Sequence, residues 1–443
     1  MVFSIFLLLC VFVRSENIQE ESLIEKFKHF KQEFGKKYSN PSEEKLRFEI
    51  FKENLKLIEE LNSKRTKKSD AIFGINKFTD RTNEELPKNY QQIISIEETE
   101  SIKTKSSIID ESRLTIHYNG ELPKNLSYCG SYTKYNSIDD KNNYCGDTYD
   151  QGSCGCCYAA AQANLGQFIY AKKNFKKNGN IEILNFGVQL YLNNTKEDGY
   201  TLNKRCCGGT PVGLYSTTPY YFLEEDDPFQ EYNHDDKNYC APVGIQKSVP
   251  KKLKVDKFHL FGLGRGLSNK EYFENLKMVL HEYGPFTAAV RTGDQIREWS
   301  AYKSGLFMFS KSNCAMSLQN KIVTDHQITV VGYGTTEGDE DYLIIRNSWG
   351  NNWGENGYMR IAADNEGVAF CGIGWNYDSS NVIPNSGVVS SDGYYGVYYD
   401  TNSQPETDSE SNNKPDPNKP TDSVDGIGLN IFVPIIIALI LLI

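Results

Sequence analysis

The sequence predicts an α+β protein, with helices mainly in the first half of the chain and strands in the second. Residues 20–62 carry apolar side chains at three- and four-residue steps with charges between them, which is typical of amphipathic helices. An alanine-rich stretch that starts at Cys157 continues with apolar residues at helical steps. The β-rich runs 328–334 and 342–346 predict two strands. A length of 443 residues suggests two or three units, at roughly 100–200 residues each.

Both ends of the chain carry patterns typical of targeting segments. Residues 1–15 predict a signal peptide, because their apolar core is too short to span a bilayer and the small Ser15 precedes the expected cleavage point. A Tyr/Gly-rich segment and polar stalk, 386–426, precede an apolar tail, 427–443. The stretch 429–443 would reach only about 22 Å as a helix, against a hydrocarbon core of roughly 30 Å. This pattern favours a glycolipid (GPI) anchor signal, and a short single-span membrane anchor stays open.

Composition and charge exclude some classes of partner. The formal net charge is −10 and no basic patch stands out, so nucleic acid is not an expected partner. Of the 11 cysteines, all but Cys10 fall between Cys129 and Cys371, which predicts disulfides in an exported chain. A catalytic thiol would leave an odd number of these, so at least one further cysteine is expected to be free. No metal and no cofactor are expected.

Two spaced motifs lie in the N-terminal quarter. In the first motif, consecutive members are three or four residues apart, so their side chains lie along one face of a helix. Its members are Glu43, Arg47, Phe51, Asn54, Ile58 and Asn62. The second alternates in the manner of a short strand. Its members are Gly74, Asn76, Phe78 and Asp80. Together they resemble the E-R-F-N-I-N and G-N-F-D motifs of the inhibitory propeptides of papain-like cysteine proteases. The resemblance implies an α-helical inhibitory propeptide over 16–113, removed somewhere near 107–121.

A cysteine, a histidine and an asparagine stand where three predicted elements begin or end. Cys157 starts the alanine-rich helix, where the helix dipole favours thiolate over thiol. His326 precedes the first β-rich run, and Asn347 follows the second. Cysteine, histidine and asparagine in this order resemble the papain family, and the match over 347–357 is almost residue for residue. The resemblance implies a papain-like two-domain fold over 114–385, with a helical left domain and a β-barrel-like right domain.

The resemblance also implies a role for each catalytic position. Cys157 would attack the scissile carbonyl as a thiolate paired with protonated His326, which then protonates the leaving amine. Asn347 would orient the imidazole, and Trp349 would shield that contact from water. Gln151 and the backbone N–H of Cys157 would donate to the oxyanion. The expected activity is endopeptidase hydrolysis of protein and peptide substrates by a zymogen that matures on acidification, with the propeptide as its intramolecular inhibitor.

A substrate groove follows from the same resemblance. Gly208 and Gly209 would offer backbone hydrogen bonds to an extended peptide. One pocket would receive the side chain two residues before the cut. Its expected lining is Thr210, Pro211, Ala289, Thr324 and Asn376. Because Asn376 at the base is neutral, the pocket should not favour arginine.

The remaining cysteines leave several pairings open. The resemblance implies the bridges Cys154–Cys206 and Cys314–Cys371. Further candidate pairs are Cys207 with Cys240 and Cys129 with Cys145. They would leave Cys156 free beside the nucleophile, as a thiol that could form a reversible disulfide or bind soft metals.

The predicted export signal carries further expectations. Asn125 and Asn193 stand in glycosylation sequons. The protein is expected in the secretory pathway, in a lysosome or digestive vacuole, at the cell surface or outside the cell, and the chain resembles membrane-anchored protozoan members of the family. Two alternatives were weighed: a catalytically inactive surface-binding protein on the same fold, and a Cys–His acyl transferase. The intact catalytic positions disfavour the first, and the propeptide disfavours the second.

Overall fold

Helices and a large sheet make up the chain, which confirms the predicted α+β class. The computed structural model describes residues 21–87, 109–110, 120–130, 143–193, 204–209, 220–230, 240, 253–254, 258–261, 269–310, 312, 325–363 and 396–399. The helices are α1 (21–33), α2 (Pro41–Ser63), α3 (Cys157–Asn178), α4 (Gln189–Asn193), α5 (Asn269–Tyr283) and α6 (Ile296–Ala301). The strands are β1 (Ile72–Phe73), β2 (Ile109–Asp110), β3 (Leu126–Ser127), β4 (Tyr220–Tyr221), β5 (Leu253–Lys254), β6 (Phe258–Phe261), β7 (Phe286–Val290), β8 (Tyr302–Ser304), β9 (Leu306–Phe307), β10 (His326–Thr335), β11 (Asp341–Arg346), β12 (Tyr358–Ala362) and β13 (Gly396–Tyr399).

Strand β10 lies in the middle of the main sheet. Within the described ranges this sheet has the order β2-β6-β13-β7-β10-β11-β12-β9, with β3 also paired to β10. The strands β7, β11 and β3 all run antiparallel to β10. The register pairs Thr329 with Arg346, so the start of β10 and the end of β11 lie at the same edge of the sheet. His326 and Asn347 are therefore brought together at that edge.

Two hydrophobic cores meet where α3 crosses the sheet. One core packs on the sheet and includes Trp299 and Trp353, and the other surrounds α3. The alanines of α3 keep the helix narrow, and Ala159 and Ala160 are fully buried. The hydroxyl of Thr329, in β10, donates to the carbonyl of Ala161 at 3.2 Å. The first turns of α3 consequently lie directly on the strand that begins with His326.

The N-terminal helices form a separate aromatic cluster against the main body. Phe27, Phe30 and Phe51 pack together, with the rings of Phe30 and Phe51 5.0 Å apart between centroids. Ala301 of α6 belongs to the same cluster, and β1 pairs with β8. The predicted propeptide is thus anchored on the α6–β8 segment by both apolar packing and backbone pairing.

The strand predicted through the second motif, 74–80, is wrong, because the nearby strand ends at Phe73, before Gly74. Only Ile72–Phe73 is a strand, and residues 77–80 form a turn. The side chain of Asn76 accepts from the backbone N–H of Phe78 at 2.9 Å, and the hydroxyl of Thr79 accepts from the N–H of Asn76 at 2.9 Å. Such local side-chain bonds compete with strand pairing, so the alternating pattern does not extend the strand.

Both predicted targeting segments, 1–15 and 427–443, lie outside the described residues. Within the ranges given above, no helix combines the length and apolar character needed to cross a membrane.

Candidate active site

Cys157 is the first residue of α3 and is fully buried between the two cores. This position places its sulfur at the positive end of the helix dipole. The backbone of Gln327, in β10, interacts with the thiol and opposes the rise of its pKa. The sulfur therefore lies beside the strand end that carries His326.

The contact between His326 and Asn347 fixes the tautomer of the imidazole. The Nε2 atom of His326 lies 2.7 Å from Oδ1 of Asn347, which also accepts the backbone N–H of Ser348 at 2.9 Å. Because a carbonyl oxygen only accepts, Nε2 must carry the proton. The other ring nitrogen, Nδ1, is buried with no hydrogen-bond partner among the described residues. The neutral ring consequently keeps a lone pair at Nδ1, the state that a general base requires.

Burial sets the charge state of this pair in the precursor. Burial raises the pKa of the Cys157 thiol to about 12, against the opposing effect of backbone hydrogen bonds from Gln327 and Tyr158. Burial also lowers the pKa of His326, against the opposing effects of the Asn347 hydrogen bond and the Asp325 charge. Both shifts favour the uncharged forms. Burial therefore opposes the effect of the helix dipole on the Cys157 thiol in the precursor.

Trp349 packs on the imidazole and is fully buried. Its ring centroid lies 5.4 Å from that of His326 and 5.0 Å from that of Phe78, in the propeptide. The tryptophan thus separates the His326–Asn347 hydrogen bond from solvent, and a propeptide aromatic ring covers the tryptophan.

Gln151 is fully buried and is hydrogen-bonded to the loop after β11. Its Nε2 donates to the carbonyl of Cys154 at 2.8 Å, and its Oε1 accepts from the hydroxyl of Ser348 at 2.5 Å. Its backbone N–H also donates to the carbonyl of Ser348 at 3.0 Å. A primary amide carries two N–H donors, so one remains for an oxyanion.

Two positioning residues were not predicted from the sequence. Ser348 holds both Gln151 and the Asn347 side chain, as described above. The carboxylate of Asp325 accepts from the N–H and hydroxyl of Thr292 at 2.6 and 3.0 Å and from the N–H of Gly293 at 2.8 Å. These bonds fix the backbone immediately before His326. Each of the two residues directly adjoins a predicted catalytic residue, which is the only sequence signal that could have found it.

The predicted substrate groove is described only in part. Gly208 and Gly209 are buried, and Gly208 has a φ of 101°, which favours glycine. Ala289 lies in β7 opposite Gln327. The other pocket residues lie outside the described residues: Thr210, Pro211, Thr324 and Asn376. The pocket therefore stays a prediction.

Three disulfides are present among the described residues, and one of them joins the loop before Cys157 to the segment before Gly208. Cys154 is bonded to Cys206, which anchors the loop before α3 to the turn that leads into Gly208. The other described bridges are Cys129–Cys145 and Cys207–Cys240. Cys156 and Cys157 are the free thiols of the described residues, and both are buried. The expected Cys314–Cys371 bridge lies outside the described residues.

Soft-metal binding by Cys156 finds no support in the described ranges, where no group of three or more potential ligands could hold a metal ion. Burial, with a smaller effect of the neighbouring Cys157, raises the pKa of the Cys156 thiol well above its usual value. The raised pKa disfavours a thiolate at Cys156, as burial also does at Cys157 in the precursor.

Ion pairs hold the propeptide together. The buried carboxylate of Asp80 accepts from Lys36 at 2.8 Å and from the hydroxyl of Tyr38 at 3.0 Å. Arg47 donates to Glu85 at 2.7 Å and to the carbonyl of Asp80 at 3.2 Å. The contact of Arg47 with Glu43, one helical turn away, is longer, at 3.8 Å, because Glu43 bonds to Ser39. Lys36, Tyr38 and Glu85 are thus motif partners that the spacing did not reveal.

Asparagines of the two motifs join the propeptide to itself and to the main body. Asn62 exchanges two hydrogen bonds with the backbone of Phe73, at 2.8 and 3.0 Å. Asn54 accepts from Arg297 of α6 at 2.8 Å. Asn76 donates to the carbonyl of Ser300 at 2.6 Å. Through Asn54 and Asn76, the motif helix and the turn are therefore hydrogen-bonded to α6. Ile58 packs in the same cluster as Phe51, and Gly74 donates its N–H to the carbonyl of Ala301 at 2.9 Å.

The fold and the site together define a cysteine protease joined to a cathepsin-type propeptide. The chain belongs to the papain family of cysteine proteases, whose family model (Papain family cysteine protease) matches residues 134–380. The model of the cathepsin propeptide inhibitor domain (I29) matches residues 27–86. The chain is therefore the zymogen form of a peptidase, with the propeptide as intramolecular inhibitor and proteins as its substrates.

Individual relatives cover most of the chain at modest identity. The chain is 27% identical to a viral cathepsin of Adoxophyes honmai nucleopolyhedrovirus over 348 residues, which covers 78% of this chain and 88% of the relative. It is 28% identical to cathepsin J of Mus musculus over 391 residues, covering 83% and 96%. The structure of digestive procathepsin L 3 from the larval midgut of Tenebrio molitor superposes with a TM-score of 0.55 at 20% identity, covering 85% of this chain and 98% of that one. The last comparison shows the shared fold.

Proposed function

We propose that Cys157 and His326 are the catalytic pair of an endopeptidase, oriented by Asn347 and assisted by Gln151. One observation carries this proposal: the 2.7 Å contact between His326 and Asn347, which directs the lone pair of Nδ1 away from Asn347. The buried sulfur of Cys157 lies beside the same strand end. No other free thiol except Cys156 is present among the described residues.

Each group then has a defined part in peptide hydrolysis. Nδ1 of His326 takes the thiol proton, and the sulfur of Cys157 attacks the scissile carbonyl. The negative oxygen accepts from the free N–H of Gln151 and from the backbone N–H of Cys157. The imidazolium then returns its proton to the leaving amine, and water hydrolyses the thioester. Re-exposure of the site on propeptide removal would reduce the burial that favours the neutral pair.

Maturation on acidification is the second part of the proposal. Burial raises the pKa of Glu85, but hydrogen bonds from Arg47 and from the backbone of Thr82 outweigh it and hold the pKa below its usual value. A depressed carboxyl pKa contributes stability that is present above the unfolded value, about 4.3, and is lost as the pH falls through the folded value. Glu85 therefore supports the propeptide at neutral pH and releases it in acid.

Incubation of purified precursor across roughly pH 3 to 7.5 tests whether acid releases the propeptide. Chain length and peptidase activity are followed at each pH. We expect an inert full-length chain near neutral pH and a shorter, active chain at the acidic end. Equal rates of maturation at both ends of the range would show that acid does not release the propeptide.

The proposed location is the secretory pathway, ending in a lysosome or digestive vacuole, at the cell surface or outside the cell. It rests on the sequence pattern of residues 1–15 and is consistent with the disulfides of the described residues. Membrane attachment through residues 427–443, as in membrane-anchored protozoan members of the family, belongs to the same proposal. Release from membranes by a phosphatidylinositol-specific phospholipase would support the GPI form, and retention would support a single span.

Glycans are expected at Asn125 and Asn193. The Oδ1 atom of Asn125 already accepts from the backbone N–H of Thr335 at 3.0 Å, and attachment at Nδ2 leaves that bond intact. Asn193 ends α4 and is only partly exposed. Glycosidase treatment of the exported chain should reduce its mass. Asn125→Gln and Asn193→Gln should each remove one glycan, and an unchanged mass would contradict the prediction for that site.

A further inference from the structure

The propeptide places a lysine against the main body directly beside the catalytic machinery. Nζ of Lys77 lies 2.5 Å from Oδ2 of Asp150, the residue before Gln151. The same ammonium lies over the ring of Phe78, 5.0 Å from its centroid. The ring of Phe78 in turn packs on Trp349 at 5.0 Å. Lys77 and Phe78 thus pack on one continuous surface formed by Asp150 and Trp349, the Asp150–Trp349 face.

The position of Asp150 is fixed by its own backbone and side chain. Its backbone forms a β-bridge with Trp349, and its Oδ1 accepts from the N–H of Gly152 at 3.1 Å. One carboxylate oxygen is therefore used within the loop, and Oδ2 is left for a cation. The Asp150 side chain is 51% exposed even with Lys77 in place, so a ligand arriving from solvent can reach it.

The Asp150–Trp349 face adjoins the imidazole that protonates the leaving amine in the proposed mechanism. His326 is the group that protonates the leaving amine in the proposed mechanism, and Trp349 packs on His326 with ring centroids 5.4 Å apart. Residues that follow the cleaved bond are attached to the amine that this imidazole protonates, so they lie near it during the reaction. The Asp150–Trp349 face is therefore in reach of substrate residues after the cut.

Removal of the propeptide changes the charge balance of this face. In the described part of the chain, Lys77 is the cation within ion-pair distance of Asp150. When Lys77 leaves, the carboxylate loses that partner and Trp349 loses the ring that covers it. A free carboxylate beside an aromatic ring attracts a cationic side chain by charge and by cation–π contact.

We propose that Asp150 is a specificity-determining residue for a lysine or arginine within the three residues after the cut. This inference rests on the proposed function. In the precursor Lys77 occupies the position that such a substrate side chain takes in the matured enzyme. The propeptide thereby blocks this part of the substrate site with a cationic side chain, the kind of side chain that the site is proposed to bind.

Paired peptides cleaved by the matured enzyme test the proposal. Each pair differs only in lysine or its neutral isostere norleucine at the first, second or third position after the cut. At one position we expect kcat/KM for the lysine peptide to exceed that for the norleucine peptide about two- to fivefold, the range of an exposed ion pair. The preference should fall as salt is raised, because salt screens exposed charges.

The matched variants are Asp150→Asn and Asp147→Asn. Asp150→Asn keeps the oxygen that accepts from Gly152 and should bring the lysine-to-norleucine ratio to about one. Asp147→Asn removes a nearby carboxylate that accepts from Asn351 at 3.0 Å, and it should leave the ratio as in the unaltered enzyme. A lysine preference that persists in Asp150→Asn, or a ratio of one at all three positions in the unaltered enzyme, would overturn the inference. Failure to cleave any peptide would instead contradict the proposed function.

Discussion

Replacing Cys157 with alanine is expected to abolish both peptidase activity and self-maturation. The substitution removes the sulfur that attacks the carbonyl, and a buried alanine at the start of α3 is well tolerated by the helix. The precursor should therefore fold, stay at full length in acid and cleave no peptide. Chain length on a gel and the rate of peptide cleavage measure the two losses.

The control for this prediction is Cys156→Ala. Cys156 is equally buried and also free, but the backbone of Gln327, the residue after His326, interacts with the thiol of Cys157 and is not among the groups that act on the thiol of Cys156. We expect this variant to mature and to cleave peptides. Full activity in Cys157→Ala, or loss of activity only in Cys156→Ala, would contradict the assigned nucleophile.

Asp80→Asn is expected to let the precursor mature near pH 7, where the unaltered chain stays inert. The Asp80 and Lys36 side chains are 2% and 14% exposed and pair at 2.8 Å. Removing one charge of such a pair leaves the other buried without its partner, which typically costs about 3–5 kcal/mol. The weakened propeptide should then open without acid. The measurement is the half-time of maturation at neutral pH.

An exposed pair on the same domain gives the matched control. Glu60 pairs with Lys64 at 2.7 Å on the surface of α2, with side chains 62% and 64% exposed. Exposed pairs contribute little stability, so Glu60→Gln should leave the pH of maturation unchanged. If Asp80→Asn behaves like Glu60→Gln, the buried ion pair is not what keeps the propeptide closed.

The sequence was most informative where one residue type marks the end of an element. His326 begins β10 and Asn347 follows β11, so local patterns located both. Their 2.7 Å contact additionally requires the register between the two strands, which no local pattern encodes. The propeptide helix was also predicted from a local pattern, because its apolar residues recur with the helical period.

The sequence was least informative where distant segments meet. Lys36 and Asp80 are partners because α1 and the turn at 77–80 fold onto α2, and neither spacing nor charge pattern requires it. The turn was wrongly predicted as a strand, because an alternating sequence pattern does not reveal the local hydrogen bonds that the side chains of Asn76 and Thr79 form. Burial of Cys157 is likewise a tertiary effect, and it raises the pKa of the thiol, which opposes the effect of the helix dipole.

Labelling with an epoxide-type probe for active-site thiols tests the central claim most directly. Purified precursor is treated at neutral pH and after acidification, and the modified residue is located by peptide mapping. The closed precursor, with its buried and protonated thiol, should stay unlabelled at neutral pH. After acidification the adduct should form on Cys157 alone and abolish activity in proportion to its amount. An adduct on Cys156, or equally fast labelling of Cys157 in the neutral precursor, would contradict a zymogen whose buried Cys157 becomes the nucleophile only when the propeptide leaves.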